Sequence, residues 1–514
     1  MKKTIKTHNR KVNASRFILI AASIVLQALI LWVFIFIIRS RYLVVQVTTS
    51  VLGVILFLTI VNRNQPAVYK VPWIILFLLV PFAGLMIYVT FGNVNLSRKN
   101  KKKIRHIFNE ENDEYYCQNS VLKEFGEDNR GLGMAKYLRS ATSLPVFSNT
   151  ESVYLPTGES FLEKLVPELK KAEKFIFMEY FIVAEGQMWN QIFEVLKQKA
   201  EDGVEVYFMY DDVGSISRVK SKFYKDLRTY GINAEKFNKF YPIVSISHNN
   251  RDHRKITVID GKVGFVSGGN IADEYINIDS PFGLWRDNAV MLKGQAVDSL
   301  IRLFIQLYNM SSDKDLAEDD YIQKDFEVVK DGFVFPFGDA PAPVTTEHIG
   351  ENVYLDIINR ANRYLYIATP YFIVDTNITE ALKKAVKRGV DVRIIIPDIP
   401  DKKIVYIMTK SFMPSLIAAG VKVYKYRGGF IHSKTALSDD EIAFVGTINM
   451  DFRSFVHHFE CGVILYKTQS INDIYADFMK LFETKCDELS FSEAELKWYE
   501  SLAKSIVNLF APLM

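Results

Sequence analysis

The chain has 514 residues, long enough for several domains with a sizeable core. Hydrophobic residues make up 49% and aromatics 13%, and the mean hydropathy of +0.04 is high for a soluble enzyme. The net charge of +4 is small for this length, so the distribution of charge says more than its sum. Three scattered cysteines, Cys117, Cys461 and Cys486, exclude a disulfide framework, show no metal-ligand spacing and fit a reducing compartment.

Residues 1–16 are a basic tail carrying Lys2, Lys3, Lys6, Arg10, Lys11 and Arg16, with no acid among them. The region 17–92 follows, with apolar runs at about 17–38, 42–61 and 71–91, the last containing Pro72 and Pro81. A helix crossing a hydrocarbon core of about 30 Å needs roughly 20 apolar residues. Each run has that length, and the first is too long for a signal-peptide core of about 7–15 residues. Membrane integration is the expectation, over a set of buried core helices. A second basic cluster, from Arg98 to Arg105, begins the basic and polar linker 93–149. Both clusters favour the cytoplasmic side, which needs an even number of crossings, whereas three runs supply an odd number. The expected arrangement is therefore a multi-pass cell-membrane protein with a cytoplasmic catalytic region. Two or three runs span, and the second cluster is placed to meet anionic headgroups.

From 150 onward short apolar strands alternate with amphipathic helices. The segment 174–183 reads as a strand running into a loop, the pattern at 188–202 as a helix stopped by Asp202-Gly203, and 204–210 as a buried strand. The second half repeats this at 363–374, 378–388 and 390–396, with Tyr-Phe-Ile-Val in both copies. The repeat is too long for a solenoid unit. The expectation is an α/β fold of two homologous domains, 150–330 and 331–514, each a mixed or mostly parallel sheet flanked by helices.

Both halves contain H-x-K-x4-D: His253, Lys255 and Asp260, then His432, Lys434 and Asp439. Each histidine is followed seventeen residues later by an asparagine, Asn270 or Asn449. A lone His-x-Lys on a strand is usually a solvated edge, but two copies with the same asparagine offset make chance a poor explanation. Residues 255–259 are rich in β-branched side chains and read as a strand, so that His253 and Lys255 share a face. Asp260-Gly261 is a tight-turn pair into a returning strand, and the small residues Ser267, Gly268 and Gly269 allow close approach to a ligand. Asp260 and Asp439, although part of the catalytic motif, read as turn and strand anchors more than proton carriers.

The chemistry needs both copies. Two lysines and two asparagine amides can hold the oxygens of a phosphodiester as charge grows in the transition state. One histidine attacks phosphorus and the other protonates the leaving alkoxide, then deprotonates the acceptor for the return step. Each imidazole needs a carboxylate on its other nitrogen, for which Asp287 and Glu460 are the candidates. No metal or other cofactor is required, and His457-His458 has no partner ligands at metal spacing along the chain.

These motifs resemble those of the phospholipase D superfamily, and longer strings resemble the bacterial cardiolipin synthases within it. The strings are Asn250 to Lys255, Asn270 to Tyr275, Trp285-Arg286-Asp287, Gly446 to Ser454, Phe459-Glu460, Glu179 to Ile182 and Leu509 to Leu513, with Trp73 to Gly92 in the membrane region. The resemblance implies transfer of a phosphatidyl group between two phosphatidylglycerol molecules, giving cardiolipin and glycerol through a phosphohistidine. It favours His253 as nucleophile and His432 as acid and base. Anionic phospholipids and the membrane are the implied partners, with no nucleic acid. The chain departs from the family pattern in Ser267-Gly268, in His458 where asparagine is frequent, and in the additional run 17–38. Within the same chemistry the alternatives are another membrane phosphatidyltransferase or a hydrolytic phospholipase D. A nuclease fits the three apolar runs less well, and a silent scaffold has no need of intact motifs. The amphipathic stretch 494–514 is equally suited to docking at the membrane interface or packing on the second domain.

Overall fold

The protein is described from a computed structural model. It covers residues 43–62, 67–79, 120–239, 250–323 and 331–507 apart from 343 and 346, with a few isolated positions elsewhere. The tail 1–16, nearly all of the runs 17–38 and 80–91, the basic cluster 98–105 and residues 508–514 lie outside the described residues.

Two sheets of the same design form the body. The first uses β1 (Thr150–Leu155), β2 (Phe175–Tyr180), β3 (Glu205–Asp211), β4 (Asn233–Phe237), β6 (Lys255–Ile259), β7 (Val263–Ser267) and β9 (Ala289–Gly294). Two short strands, β5 (Arg251–Asp252) and β8 (Leu284–Arg286), stand apart from it. Its order is β1-β9-β7-β6-β2-β3-β4. Only the β2–β3 and β3–β4 pairs are parallel. The second sheet uses β10 (Phe333–Asp339), β11 (Tyr364–Ala368), β13 (Asp391–Pro397), β14 (Lys422–Tyr426), β16 (Thr435–Ser438), β17 (Ile442–Gly446), β19 (His458–Tyr466) and β20 (Cys486–Glu488). Three short strands, β12 (Phe372–Ile373), β15 (Gly429–Ile431) and β18 (Met450–Asp451), lie off it. The order β10-β19-β17-β16-β11-β13-β14 repeats the first sheet strand for strand, with β20 added at the edge. The expected duplication is thus visible in the topology, and both sheets are mixed.

The parallel steps are made by crossover helices, as parallel pairing requires. Gln187–Glu201 links β2 to β3 and Thr376–Lys387 precedes β13. Between the sheets lie Val297–Ser311 and Ser470–Thr484. The first is buried almost all round, in keeping with its apolar sequence. It packs on β2, β4 and β6 and reaches β10, while the second packs on β16, β17 and β19 and reaches β1. Each helix therefore ties its own sheet to the other half, and one core of Phe177, Val258, Phe304, Tyr366, Leu437 and Phe478, among others, runs through both.

In both halves the strand runs into a loop at the Tyr-Phe-Ile-Val segment. β2 ends at Tyr180 and β11 at Ala368, where Pro370 in the second copy has no N–H to offer a ladder. The chain turns aside to pair with the segment after each motif, Val183 with Ile271 and Phe372-Ile373 with Met450-Asp451. One expectation is corrected, that of a linker over 93–149, whose residues 120–149 are part of the body. Helix Asn129–Thr142 is capped by the Asp128 side chain, and Phe125, Met134, Ala135 and Leu138 join the core of the second half.

In the membrane region Leu43–Val61 is a 19-residue helix without acidic or basic termini, and Ala67–Leu79 packs beside it through Ile60 and Phe77. Val44, Val47, Val51, Val54, Ile55 and Leu58 are exposed. Among the described residues no helix is long and apolar enough to cross a membrane. Leu43–Val61 comes nearest, rising about 28 Å at 1.5 Å per residue against a core of about 30 Å. At the other end of the chain, helix Trp498–Val507 packs on Lys403–Ala418, where Glu500 lies 3.8 Å from Lys410.

Candidate active site

The histidines are placed by backbone pairing between the halves. β5 runs parallel to the start of β19, pairing Arg251 with His458 and Asp252 with Phe459, and the His253 N–H donates to the Phe459 carbonyl at 2.9 Å. In the second copy β15 runs parallel to β8, pairing Phe430 with Trp285 and Ile431 with Arg286, and the His432 N–H donates to the Arg286 carbonyl. His253 thus sits in the link between β5 and β6 rather than on the expected strand, which begins at Lys255. His432 and Lys434 likewise lie between β15 and β16.

This exchange settles which carboxylate meets which imidazole. His253 Nδ1 lies 2.9 Å from Glu460 Oε2, and His432 Nδ1 lies 2.5 Å from Asp287 Oδ2. Each histidine is paired with an acid from the other half, so neither domain alone carries a complete pair. With Nδ1 held, Nε2 of both rings is left for chemistry. Lys434 Nζ also lies 2.8 Å from His432 Nδ1, but that nitrogen serves one partner, and the anionic Asp287 is closer. Lys434 donates instead to the His432 carbonyl, as Lys255 does to that of His253 at 2.5 Å.

All these groups are buried. Burial pushes His253 well below the usual histidine range, and Lys255, Lys434, His432 and Lys402 add to the effect. His432 is pushed down to about 4 by burial and Lys434, with Asp287 opposing. Both imidazoles are therefore neutral at pH 7. Burial raises Asp287, but His432 and Lys434 together outweigh it and hold the carboxyl below its ordinary value. Lys255 is lowered to about 8 and Lys434 to about 7, burial being the main cause in both. Lys434 also feels Lys255, and Lys255 feels Glu460 and Asp287, so the two motifs share one electrostatic environment.

A lysine held at about 7 in the fold and at about 10.4 in the unfolded chain makes stability pH-dependent. Between those values the unfolded chain binds the extra proton, so the penalty is full below pH 7 and disappears as pH rises past about 10.4. Lys434→Met is accordingly expected to raise Tm at pH 7, with the difference shrinking toward pH 10. Calorimetry across that range checks it, and a constant difference would count against a depressed Lys434.

The motif aspartates have a different task. Asp260 sits at positive φ in the β6–β7 turn and accepts N–H groups from Glu173, Lys174 and Phe175 at 2.8, 2.8 and 2.9 Å. Asp439 does the same for Asn362, Arg363 and Tyr364 at 2.8, 2.8 and 3.0 Å. Grouping them with the catalytic residues is therefore corrected: four residues of extended chain lie between each aspartate and its lysine, a span of about 16 Å over five residue steps. Asp260→Ala or Asp439→Ala leaves three donors unpaired and is expected to cost about 3 kcal/mol or more of stability. Denaturant titration reads this loss.

Asn270 accepts from the Ile182 N–H at 3.0 Å and donates to Tyr275 Oη at 2.6 Å, whereas Asn449 donates to Ser454 Oγ at 3.1 Å and its Oδ1 is without a partner. Each amide keeps a second N–H for a ligand oxygen. The small residue at Gly268 has a specific cause: a Cβ there would lie 2.3 Å from Asp287 Oδ1. Thr447, at the corresponding place in the second copy, donates its hydroxyl to Glu460 Oε2 at 2.5 Å.

The fold brings His458 to the centre of the site. Its Nδ1 lies 3.3 Å from Glu460 Oε1 and its ring 5.1 Å from that of His253. Trp285 stands 5.2 Å from His432, and Phe181 lies 5.0 Å from His253. Among the described residues His253, His458 and Glu460 form the one group with metal-ligand chemistry, their donor atoms within 4.8 Å of one another. Both Nδ1 atoms are already committed to the carboxylate, however, and Lys255 and Lys434 place cationic charge nearby. The two lysines beside these groups suit the site to an anion.

The duplicated mixed sheet with an exchanged histidine–carboxylate pair defines a phospholipase D-like protein. The family described as cardiolipin synthase, PLD-like domain, matches residues 165–307 and 354–484, and a phospholipase D-nuclease N-terminal family matches 51–93. The chain belongs to the PLD-like cardiolipin synthase family. Cardiolipin synthases of Halalkalibacterium halodurans and Geobacillus kaustophilus are 34% and 35% identical to it, each covering 91% of this chain and 93% of its own length. An uncharacterized Streptococcus mutans protein is 40% identical over 90% of this chain and all of its own. In fold the chain is similar to the crystal structure of phosphatidylserine synthase from Haemophilus influenzae, with a TM-score of 0.56 at 16% identity, covering 74% of this chain and 97% of that one.

Proposed function

We propose that the protein is a cardiolipin synthase that moves a phosphatidyl group from one phosphatidylglycerol to the terminal hydroxyl of another, releasing glycerol. The observation that carries this reading is the exchanged pairing of His253 with Glu460 and His432 with Asp287 in a buried, lysine-rich site. Neutral His253 attacks phosphorus through Nε2 while Lys255, Lys434 and the Asn270 and Asn449 amides hold the non-bridging oxygens. His432 gives its proton to the departing glycerol oxygen, then takes one from the acceptor hydroxyl, which attacks the phosphohistidine and regenerates the imidazole. His432 is pushed down to about 4, so the proton it delivers must be stabilised by the phosphodiester anion together with Asp287.

The relatives named cardiolipin synthase support the substrate, and the exposed apolar helix Leu43–Val61 supports a multi-pass cell-membrane enzyme. The basic residues 98–105 favour catalytic domains on the cytoplasmic side. Detergent-purified enzyme given labelled phosphatidylglycerol tests the reading. Cardiolipin and glycerol in equal amounts are expected. Phosphatidic acid as the sole product would make the protein a hydrolytic phospholipase D instead.

A further inference from the structure

Apolar side chains left in water on the body of the protein are not scattered. From residue 120 onward, the exposed large aliphatic side chains among the described residues are Ile278, Leu284, Ile399 and Ile404. Leu284 is 50% and Ile404 56% exposed, so neither fills a core. Single exposed apolar residues need no explanation, but a contiguous group marks an interaction surface.

Hydrogen bonds to the backbone gather the four. The Trp285 N–H donates to Asn277 Oδ1 at 2.7 Å and Asn277 Nδ2 to the Trp285 carbonyl at 2.9 Å, which places Ile278 and Leu284 on neighbouring segments. Leu284 pairs with Gly429 where β8 meets β15, and the Ile399 N–H donates to the Gly429 carbonyl at 3.1 Å. Ile404 follows five residues later, in the first turn of helix Lys403–Ala418. Lys402, just before that helix, has its Nζ 5.1 Å from the centre of the Tyr371 ring, and Tyr371 packs on Phe430 at 6.3 Å. The four residues thus form one rim drawn from both halves.

This rim borders the catalytic groups. Leu284 and Gly429 stand three residues before Asp287 and His432, about 10 Å of extended chain. Lys402, although exposed, bears as a cation on His253 and on Asp451. Lys403 beside it is also exposed, whereas the acids of the same segment are engaged. Asp398 accepts the Gly428 N–H at 3.2 Å, and Asp401 accepts the Tyr371 hydroxyl at 2.6 Å. Apolar side chains interleaved with exposed lysines match a phospholipid surface, with anionic phosphates outermost and acyl chains just beneath. A two-fold contact with a second copy would instead bring the lysines of both copies into one interface.

Resting on the reading of the substrate as a membrane phospholipid, we infer that the rim of Ile278, Leu284, Ile399 and Ile404 docks on an anionic phospholipid surface, with Lys402 and Lys403 on its phosphates. The active site then faces the bilayer that supplies its substrates, held there by this rim in addition to the apolar helix Leu43–Val61.

The test uses the full-length enzyme in proteoliposomes of phosphatidylglycerol and phosphatidylcholine, with a fraction of the lipid carrying a nitroxide near the headgroup. An environment-sensitive fluorophore is attached at Leu284→Cys or Ile404→Cys, and at Lys387→Cys as reference. Lys387 is exposed and lies toward the opposite end of β13 from Ile399, a strand of roughly 20 Å. Emission from the two rim sites is expected to move to shorter wavelength and to be quenched about twofold or more, with Lys387 unaffected. Quenching at the rim no greater than at Lys387 overturns the inference. So does a spectral shift that appears in detergent as protein concentration rises, which would assign the face to a second copy. The double variant Leu284→Ser/Ile404→Ser adds a functional readout. Its turnover of bilayer phosphatidylglycerol should fall about tenfold or more, while soluble short-chain phosphatidylglycerol is used within about twofold of wild type. Equal losses on both substrates would overturn docking through these residues. Hydrolysis in place of transfer would defeat the functional reading, yet the quenching would still decide whether this face meets lipid.

Discussion

His253→Ala is expected to lower cardiolipin formation by at least about 10⁴-fold while the protein stays folded. The ring lies at the end of a link held at both sides, by the β5–β19 pairing before it and by β6 after it. Removing it deletes the nucleophile and leaves the backbone pairing on both sides in place. Residual turnover would come only from the charges that hold the phosphate, and loss of a nucleophile in a comparable covalent mechanism costs about 10⁶ in kcat. His432→Ala is expected to fall as far on phosphatidylglycerol but to recover with a phosphodiester whose leaving group needs no proton. That difference separates the roles of two residues whose surroundings are closely alike.

Glu460→Gln should come next, at about 10³–10⁴-fold in kcat with little change in Tm. The carboxylate accepts from His253 Nδ1, from Thr447 Oγ1 at 2.5 Å and from His458 Nδ1 at 3.3 Å, so both of its oxygens are engaged. A glutamine turns an N–H toward one of these donors. If it faces His253, the ring takes the tautomer with its proton on Nε2, and the lone pair is lost from the nucleophilic nitrogen. A carboxylate-to-amide change behind a catalytic histidine costs about 10⁴ for that reason. Because the pairing is exchanged, Glu460→Gln should block formation of the covalent intermediate and Asp287→Asn its proton-transfer partner. Pre-steady-state alcohol release distinguishes the two. Equal effects of both variants on the first step would contradict the pairing seen here.

Much of this arrangement was open to reading from residues alone. Strand and helix segments repeated in the same order in both halves, and Asp202-Gly203 and Gly389 marked helix ends close to where they occur. His253, Lys255, His432 and Lys434 were found by motif, and Asp287 and Glu460 by the need for a carboxylate behind each imidazole. What a linear reading lacked was the contact between halves. Two-residue strands such as Arg251–Asp252 have no recognisable period, yet their pairing with β19 decides that His253 meets Glu460. The same pairing draws His458 next to His253, although 205 positions separate them in the chain. Asp260 and Asp439 share the motif with the catalytic groups because both ends of one strand must be fixed, one for chemistry and one for the fold. Residues 120–149 looked like a tether because they are mixed in charge, while Met134, Ala135 and Leu138 fall on one face of a helix that the second half buries.

The central claim is that one pseudo-symmetric site works through a phosphohistidine formed on the first motif. It is tested most directly by trapping that intermediate. Full-length His432→Ala is mixed with a ³²P-labelled phosphodiester bearing a good leaving group, quenched in alkali, digested and analysed by mass spectrometry. The structure predicts label on the peptide containing His253, stable to base and lost in acid, and no label in His253→Ala. Label on a serine or on His432 of the wild type, or undiminished labelling of His253→Ala, would contradict it.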